Sequence, residues 1–199
     1  MINFEQALRD LADDKIITGC MRASLQHPNP PIAPQAISPD EFKQALCRIV
    51  VYQQLSTRVA AKIWERVQPL LQPAELPEHE ALRACGLSNQ KARYVLGILQ
   101  DQRPVDDLAA LPNEAVVDWL LELKGIGQWS AEMFLMFSLA RADVFSIGDL
   151  GLRTAVCRLY DLKTDNLEAI TTQSEQWRPH RTAVSLCLWH MLDEEPLLL

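Results

Sequence analysis

The sequence lacks any long hydrophobic run. Within its 199 residues no apolar stretch approaches the roughly 20 residues that a membrane-spanning helix requires, and the apolar segment 133–140 is interrupted by Ser138. The first residues, MINFEQALRDLADDK, carry acids where a secretory signal has a basic start followed by an apolar run. We therefore expect a cytoplasmic protein that has no membrane partner.

Cysteine is present in an odd number and with no useful spacing. The five residues lie far apart in the chain, which argues against a framework of disulfides and offers no spacing typical of metal ligands. They are Cys20, Cys47, Cys85, Cys157 and Cys187. We expect them to be small buried residues, and an iron–sulfur cluster held by four cysteines is excluded by their spacing.

Positive charge is scarce. The chain has 19 Lys and Arg residues against 26 Asp and Glu residues, for a formal net charge of −7. This balance argues against a partner that is held mainly by neutralisation of its phosphates. A nucleic acid would have to be bound through helix N-termini and a local basic rim. The candidates for such a rim lie in the last third of the chain: Arg153, Arg158, Lys163, Arg178, His180 and Arg181.

Strand patterns, internal repeats and low-complexity segments are also missing. The apolar spacing instead predicts an all-α protein of nine to eleven helices. The proline-rich loop at 27–39 and a break near 142–147 divide the helices into two lobes. We expect lobe A at about 39–142, which includes a helical hairpin at 114–141, and lobe B at 1–38 plus 143–199.

The hairpin turns at Gly125-Ile126-Gly127, between two segments with helical periodicity. Glycines permit positive φ and remove side-chain bulk, so backbone N–H groups at the start of the second helix can approach an anion such as a phosphate. Glycines at such turns also arise for packing reasons, and the turn alone leaves both interpretations open.

Several ordered motifs carry a resemblance to a known family. They are Leu123-Lys124-Gly125-Ile126-Gly127, Trp129-Ser130-Ala131, Val144-Phe145 with Asp149, Gln53-Gln54-Leu55-Ser56, Gly86-Leu87-Ser88 and Trp177-Arg178-Pro179-His180-Arg181. Together they resemble the helix-hairpin-helix base-excision DNA glycosylases, in the DNA-3-methyladenine glycosylase II branch, over roughly residues 40–192. The resemblance implies a compact, two-lobed, all-α glycosylase fold whose active site lies in the cleft between the lobes.

Asp149 is the candidate catalytic residue. It stands twenty residues after Trp129, which is the spacing that the family shows between its hairpin tryptophan and its catalytic aspartate. A carboxylate at this place would stabilise the positive charge that develops on the sugar when an N-glycosidic bond breaks, and would orient the attacking water. Asp149 also begins a helix, so a simple N-cap is the alternative that the local sequence leaves open.

The resemblance assigns Trp129, Met133 and Trp177 to the pocket that holds the damaged base. An indole face attracts a cationic methylated base over its neutral parent. Met133 departs from the aromatic residue frequent in relatives, and plain core packing is the alternative for Trp129. Bifunctional relatives carry a lysine nucleophile at the position of Trp129, so we expect a monofunctional enzyme without lyase activity.

The remaining site predictions concern DNA and a cation. The resemblance places Leu55 and Ser56 in the gap left by an extruded base, where apolar wedges offset lost stacking; without it the Gln53–Ser56 turn is an ordinary polar corner. The full set expected to contact DNA is Gln53, Gln54, Leu55, Ser56, Lys124, Gly125, Ile126, Gly127, Gln128 and Ser130. Relatives hold a monovalent cation, Na⁺ or K⁺, through hairpin carbonyls, which by position are those of Leu121, Leu123 and Ile126.

These observations predict a monomeric DNA glycosylase of base excision repair. It would extrude alkylated purines such as 3-methyladenine and 7-methylguanine from double-stranded DNA and hydrolyse the N-glycosidic bond to leave an abasic site, with no cofactor for the chemistry. Two alternatives stay open. One is a non-catalytic helix-hairpin-helix DNA-binding protein, and the other is a glycosylase for a different damaged or mismatched base.

Overall fold

The computed structural model describes residues 1–71, 75–104 and 108–192; the last residues of the expected lobe B, 193–199, lie outside them. All regular structure in the described part is helical, which confirms the all-α prediction. Its eleven α-helices are α1 Phe4–Asp10, α2 Lys15–Leu25, α3 Phe42–Tyr52, α4 Thr57–Val67, α5 His79–Ala84, α6 Asn89–Gln100, α7 Asn113–Leu121, α8 Gln128–Met133, α9 Leu150–Tyr160, α10 Leu167–Glu175 and α11 Arg181–Met191.

Short polar side chains set where many helices begin. Asn3 accepts the Gln6 amide at the start of α1, and Ser88 accepts the Lys91 amide at the start of α6. Before α3, the amide and the hydroxyl of Ser38 both donate to Glu41 Oε2, at 2.9 and 2.8 Å. Such caps satisfy the backbone N–H groups that the first turn of a helix leaves without partners, and thereby fix the helix boundaries.

The chain divides into two compact units. Unit 1 comprises Met1–Gln35 together with the described residues from Ala140 onward, and unit 2 comprises the described residues of Ala36–Leu139. In unit 1 the core helix is α11, whose residues 182–189 are all buried, and it packs on α2 and α9. A helix that is apolar on nearly all faces has to be surrounded by other elements, and α11 takes this central position.

Unit 2 is built around α3, which packs on α4, α6 and α8. Phe42 at the start of α3 meets Phe134 edge-on, with ring centroids 5.3 Å apart, and both rings are fully buried. The helix that begins with α8 continues beyond Met133 into one wider turn at Phe134–Ser138. In the described residues of both units, no helix is long and apolar enough to span a membrane.

Candidate functional site

The hairpin between α7 and α8 uses its two glycines for different reasons. Gly125 has φ +93°, and a Cβ added to it would lie 2.3 Å from ring atoms of Tyr94. Backbone conformation and space therefore both demand glycine there. Gly127 has φ −110° and precedes α8, and a Cβ added to it would meet nothing within 4 Å. Gly127 thus leaves an open approach to the backbone, while Gly125 fits the turn against α6.

The hairpin residues predicted to contact DNA divide into exposed and buried ones. Lys124, Gly127 and Gln128 are exposed, whereas the side chain of Ile126 is buried, as is that of Leu123, whose predicted role is to bind a cation through its carbonyl. Burial of these two apolar side chains anchors the turn and leaves its polar residues at the surface.

The three carbonyls expected at a monovalent cation are those of Leu121, Leu123 and Ile126. The Leu123 carbonyl accepts the Ile126 amide at 3.1 Å, and a carbonyl oxygen has a second lone pair with which to bind a cation. The described residues contain no group of three or more His, Cys, Asp or Glu side chains that could hold a metal ion. The cation assignment to these main-chain oxygens stays a prediction.

The Gln53–Ser56 turn presents one apolar side chain to solvent. Gln54 is exposed and takes φ +57°, an uncommon conformation for a residue with a side chain. Leu55 is 40% exposed, and Ser56 is the exposed residue before α4. The turn therefore carries an accessible leucine between two exposed polar residues, as a wedge requires.

Two residues of the predicted DNA-binding set point inward instead. Gln53 Nε2 donates to the Gly125 carbonyl at 2.8 Å and to Ser130 Oγ at 2.9 Å, and Ser130 is 2% exposed. The Ser130 side chain is too buried to contact DNA, whereas Gln53 is partly exposed and its contact with DNA stays a prediction. Their side chains join the Gln53–Ser56 turn to the hairpin.

Of the two predicted pocket residues on α8, only one reaches the surface. Trp129 lies in the first turn and is half-buried. Met133, one turn further, is 1% exposed and belongs to the packed interior of unit 2. The assignment of Met133 to an open base pocket is accordingly corrected, because no part of its side chain is available for contact.

Asp149 sits at the N-terminus of α9 and is partly exposed. Its Oδ1 accepts the Leu152 amide at 2.9 Å, which is the N-cap that the local sequence indicates. The same oxygen accepts the indole N–H of Trp189 at 3.0 Å. Two donors that converge on one oxygen fix the orientation of the carboxylate, since hydrogen bonds to an ionised acceptor are among the stronger ones. Asp149 is thus both a cap and an oriented acid.

Trp189 is a site residue that was not predicted from the sequence. It lies in the last turn of α11 and is 5% exposed. A signal was present, because a tryptophan in a helix that is apolar on all faces still needs an acceptor for its N–H group. The sequence does not show which acid lies beside it. The structure identifies that acid as Asp149.

Trp177, the predicted second wall of the base pocket, is in the core of unit 1. It is 0% exposed, its indole donates to Asp14 Oδ2 at 3.3 Å, and Phe145 meets it edge-on at 5.7 Å. Tyr160 donates to the same Asp14 oxygen at 2.6 Å, and burial, together with this bond, raises the pKa of the phenol. No face of the indole is open to a base, so the pocket assignment of Trp177 is wrong.

About half of the predicted basic rim is paired with acids of unit 1. Arg181 donates to Asp143 Oδ1 at 2.6 Å and to Glu175 Oε1 at 2.8 Å. Arg178 contacts the same two acids at 2.6 and 2.5 Å, and His180 lies 2.7 Å from Asp10. Arg178 and Arg181 are thus paired with carboxylates of unit 1, and the His180 ring contacts a carboxylate of the same unit. Arg158 and Lys163 are exposed and remain candidates for contact with a polyanion.

Besides the Arg181 contacts to Asp143, a threonine of α11 holds the segment that leads toward Asp149. Thr182 is fully buried; its hydroxyl donates to the Arg141 carbonyl at 2.6 Å and accepts the Val144 amide at 3.1 Å. Its own amide donates to the Ala142 carbonyl at 3.0 Å. The backbone at 141–144 therefore has a defined path although it is not helical.

Three comparisons with known proteins agree with this architecture. Residues 47–179 match the model of the HhH-GPD superfamily of base excision DNA repair proteins. The chain is 31% identical over 160 residues to DNA-3-methyladenine glycosylase 1 of Schizosaccharomyces pombe, and the match covers 73% of this chain and 70% of the relative.

Solved structures of DNA-3-methyladenine glycosylases are also similar to this chain. The crystal structure of a DNA-3-methyladenine glycosidase from Bacillus halodurans matches with a TM-score of 0.69 and 30% identity, over 90% of this chain and 85% of the other. The 3-methyladenine DNA glycosylase Mag1 of Schizosaccharomyces pombe, solved in complex with abasic DNA, matches with a TM-score of 0.75 and 27% identity, over 92% and 95%.

Proposed function

Because the chain belongs to the HhH-GPD superfamily of base excision DNA repair proteins, we propose that it is a monofunctional DNA glycosylase that removes alkylated purines from duplex DNA. The observation that carries the proposal is the carboxylate of Asp149, which is partly exposed and held through one oxygen by the Leu152 amide and the Trp189 indole. The proposed substrate class follows that of the relatives, which are named DNA-3-methyladenine glycosylases.

Asp149 supplies the chemistry in this proposal. Departure of the base leaves positive charge on the sugar ring, and a carboxylate whose direction is already fixed stabilises that charge without reorganising during the reaction. The carboxylate also orients or deprotonates the water that attacks the sugar. The N–H groups of Leu152 and Trp189 keep the acid in one orientation through both events.

The departing base does not require protonation by the enzyme. A purine alkylated at N3 or N7 carries a positive charge and departs as a neutral base, so the reaction does not require a separate general acid. One carboxylate is then sufficient. This requirement favours alkylated purines over oxidised bases, which leave as anions unless they are protonated.

The proposal includes the absence of lyase activity. A lyase needs an amine that attacks the sugar and forms a Schiff base, and the hairpin carries Trp129 in the position where a lysine would serve. Lys124 lies before the hairpin glycines and is exposed, where we assign it to a phosphate. The product is then an intact strand with an abasic site.

DNA binding is assigned to exposed residues of unit 2. Gly127 and Lys124 offer an accessible backbone and a cation to a phosphate, and Leu55 fills the space of the extruded base. The carbonyls of Leu121, Leu123 and Ile126 would hold a monovalent cation, whose charge would strengthen the attraction of this turn for a phosphate. The chain acts as a monomer in this proposal.

The experiment is base release from methylated duplex DNA. The freed bases are separated by chromatography, and the strand is run on a gel with and without alkali and after reduction with borohydride. We expect free 3-methyladenine, strand breaks only after alkali, and no protein trapped on DNA. Breaks without alkali together with trapped protein would contradict a monofunctional enzyme. Binding without any base release would point to a non-catalytic DNA-binding protein.

A further inference from the structure

Helices α3 and α6 exchange lysine contacts at both ends. Lys91, near the start of α6, donates from Nζ to the carbonyls of Val51 and Gln53 at the end of α3, at 2.8 and 2.6 Å. Lys43, near the start of α3, donates to the carbonyls of Leu99 and Asp101 at the end of α6, at 3.2 and 2.5 Å. An ammonium group satisfies carbonyls that the last turn leaves without partners, and it complements the negative end of the helix dipole.

The two ends lead to different segments. Within the described residues the Lys43 end leads to Asp101, which pairs with Arg103, and Arg103 donates to the Trp119 carbonyl of α7; the Lys91 end leads to an exposed loop. The Lys91 end holds the carbonyl of Gln53, the first residue of the turn that carries Leu55. Gln53 in turn donates from Nε2 to the Gly125 carbonyl of the hairpin at 2.8 Å and to Ser130 Oγ at 2.9 Å. Lys91 fixes the backbone of the Gln53–Ser56 turn, and the Gln53 side chain ties that turn to the hairpin.

The same helix also contacts the hairpin directly. Tyr94 lies three residues after Lys91 in α6, and its ring occupies the space that a side chain on Gly125 would need, 2.3 Å from the position of an added Cβ. Residues at this spacing lie on one face of a helix. One face of α6 therefore supports both the turn that presents Leu55 and the hairpin.

We propose that Lys91 and Gln53 are positioning residues for base extrusion, a role that rests on the proposed glycosylase function. Neither residue touches the reacting atoms. Together they hold Leu55 at a fixed distance from the hairpin that grips the phosphate backbone. The wedge then enters the duplex at the nucleotide that the hairpin holds, and its conformation requires no ordering when DNA binds.

The test compares Lys91→Met with Lys43→Met. Both changes remove an ammonium group from two carbonyls at the end of a partner helix in the same helix pair, so both should lower the melting temperature by similar amounts. Base extrusion is measured by the fluorescence of 2-aminopurine placed next to the lesion, and excision by single-turnover kinetics. We expect Lys91→Met to reduce the extrusion signal and the excision rate by about tenfold or more, since small misplacements of a positioned group have large effects. Lys43→Met should keep the extrusion signal and the excision rate close to wild type.

A double-mutant cycle with Leu55→Ala asks whether Lys91 acts through the wedge. If it does, Lys91→Met has little further effect in a protein that already lacks Leu55, because residues that act as a unit are not additive. Gln53→Met, which removes both amide contacts and keeps the side-chain length, provides the same comparison if Lys91→Met does not fold.

The outcomes separate this proposal from the proposed function. Equal losses of extrusion in Lys91→Met and Lys43→Met, or additive effects with Leu55→Ala, would overturn the positioning role. Failure of the wild-type protein to release any methylated base would overturn the glycosylase assignment instead. The fluorescence signal of extrusion does not require excision, so it tests Lys91 in either case.

Discussion

The two units hold their proposed functional residues by different means. In unit 1 the supports are charged or aromatic: the Trp189 indole on Asp149, the Trp177 and Tyr160 donors on Asp14, and the ion pairs of Arg178 and Arg181. In unit 2 the acceptors are uncharged: main-chain oxygens accept from Lys91 and Gln53, and the Ser130 hydroxyl accepts from Gln53. The close fit of Gly125 against Tyr94 is the remaining support.

This comparison shows which groups the basic side chains of each unit contact. In unit 1, basic residues that a survey of the sequence would assign to DNA neutralise acids of the same unit instead, as Arg178 and Arg181 do with Asp143 and Glu175. In unit 2 the ammonium group of Lys91 replaces backbone partners at a helix end. Cations that are bonded within their own unit add little to a basic surface, and the net charge of −7 supplies no general attraction for a polyanion.

The largest effect should follow a change of charge at Asp149. We expect Asp149→Asn to lower the excision rate by at least about a thousandfold, because the neutral amide no longer stabilises positive charge on the sugar. Binding to abasic DNA should survive. The matched control is Asp161→Asn, the same change at the other end of α9, where φ is +53° and asparagine is well tolerated. Near-full activity of Asp149→Asn would return this residue to the role of a cap alone.

The second prediction sharpens the contrast between the hairpin glycines. Gly125→Ala should lower the free energy of unfolding by at least about 2 kcal/mol, because alanine is strained at positive φ and its Cβ overlaps Tyr94. Gly127→Ala should change the free energy of unfolding by less than about 1 kcal/mol and should weaken DNA binding instead. Chemical denaturation and binding titrations measure the two quantities. Equal destabilisation by both changes would contradict the separate roles.

The third prediction compares the two tryptophans of unit 1. Trp189→Phe and Trp177→Phe each remove an indole N–H that donates to an aspartate. A hydrogen bond to a charged group contributes about 1.5–3 kcal/mol, so Trp189→Phe should slow excision by about tenfold or more. Trp177→Phe should lower stability by a comparable free energy and leave the excision rate per folded molecule near wild type. A slower excision in Trp177→Phe alone would restore its place in the base pocket.

The pair of tryptophans also shows how far the sequence could be interpreted. The helices, the hairpin turn and the cap at Asp149 were predictable because periodicity, glycine conformation and short polar side chains act locally. Whether Trp177 or Trp189 lies beside Asp149 depends on how α10 and α11 pack, which no local pattern records. The Gln53 contact to Gly125 joins positions 72 residues apart, and a glutamine in a polar turn is as consistent with DNA contact as with an internal bond.

The smallest expected effect is the loss of stability in acid. Its measurement tests whether the ion pairs of unit 1 stabilise that unit. The hydrogen bond to His180, with smaller contributions from Gln6 and Arg9, lowers the pKa of Asp10 below 3.8. The bond to Arg178 lowers the pKa of Glu175 below 4.5. A carboxyl group whose pKa is lower in the folded state stabilises that state fully at pH values above its unfolded pKa, and this contribution disappears as the pH falls through the folded pKa.

Unit 1 should therefore lose protection when the pH falls below about 4.5. In unit 2 the Lys91, Lys43 and Gln53 contacts to neutral carbonyls have no such dependence, so an acid response there should be confined to the start of α3, where the bonds from Ser38 lower the pKa of Glu41. Hydrogen exchange followed by mass spectrometry, at pH 6 and at several values below 4.5 with rates corrected for intrinsic exchange, would follow peptides from each unit separately. Asp10→Asn removes the His180 ion pair and should make the acid response of unit 1 shallower by a small, measurable amount, because exposed pairs contribute little. An identical acid response of peptides from both units would show that the two kinds of support do not differ in stability.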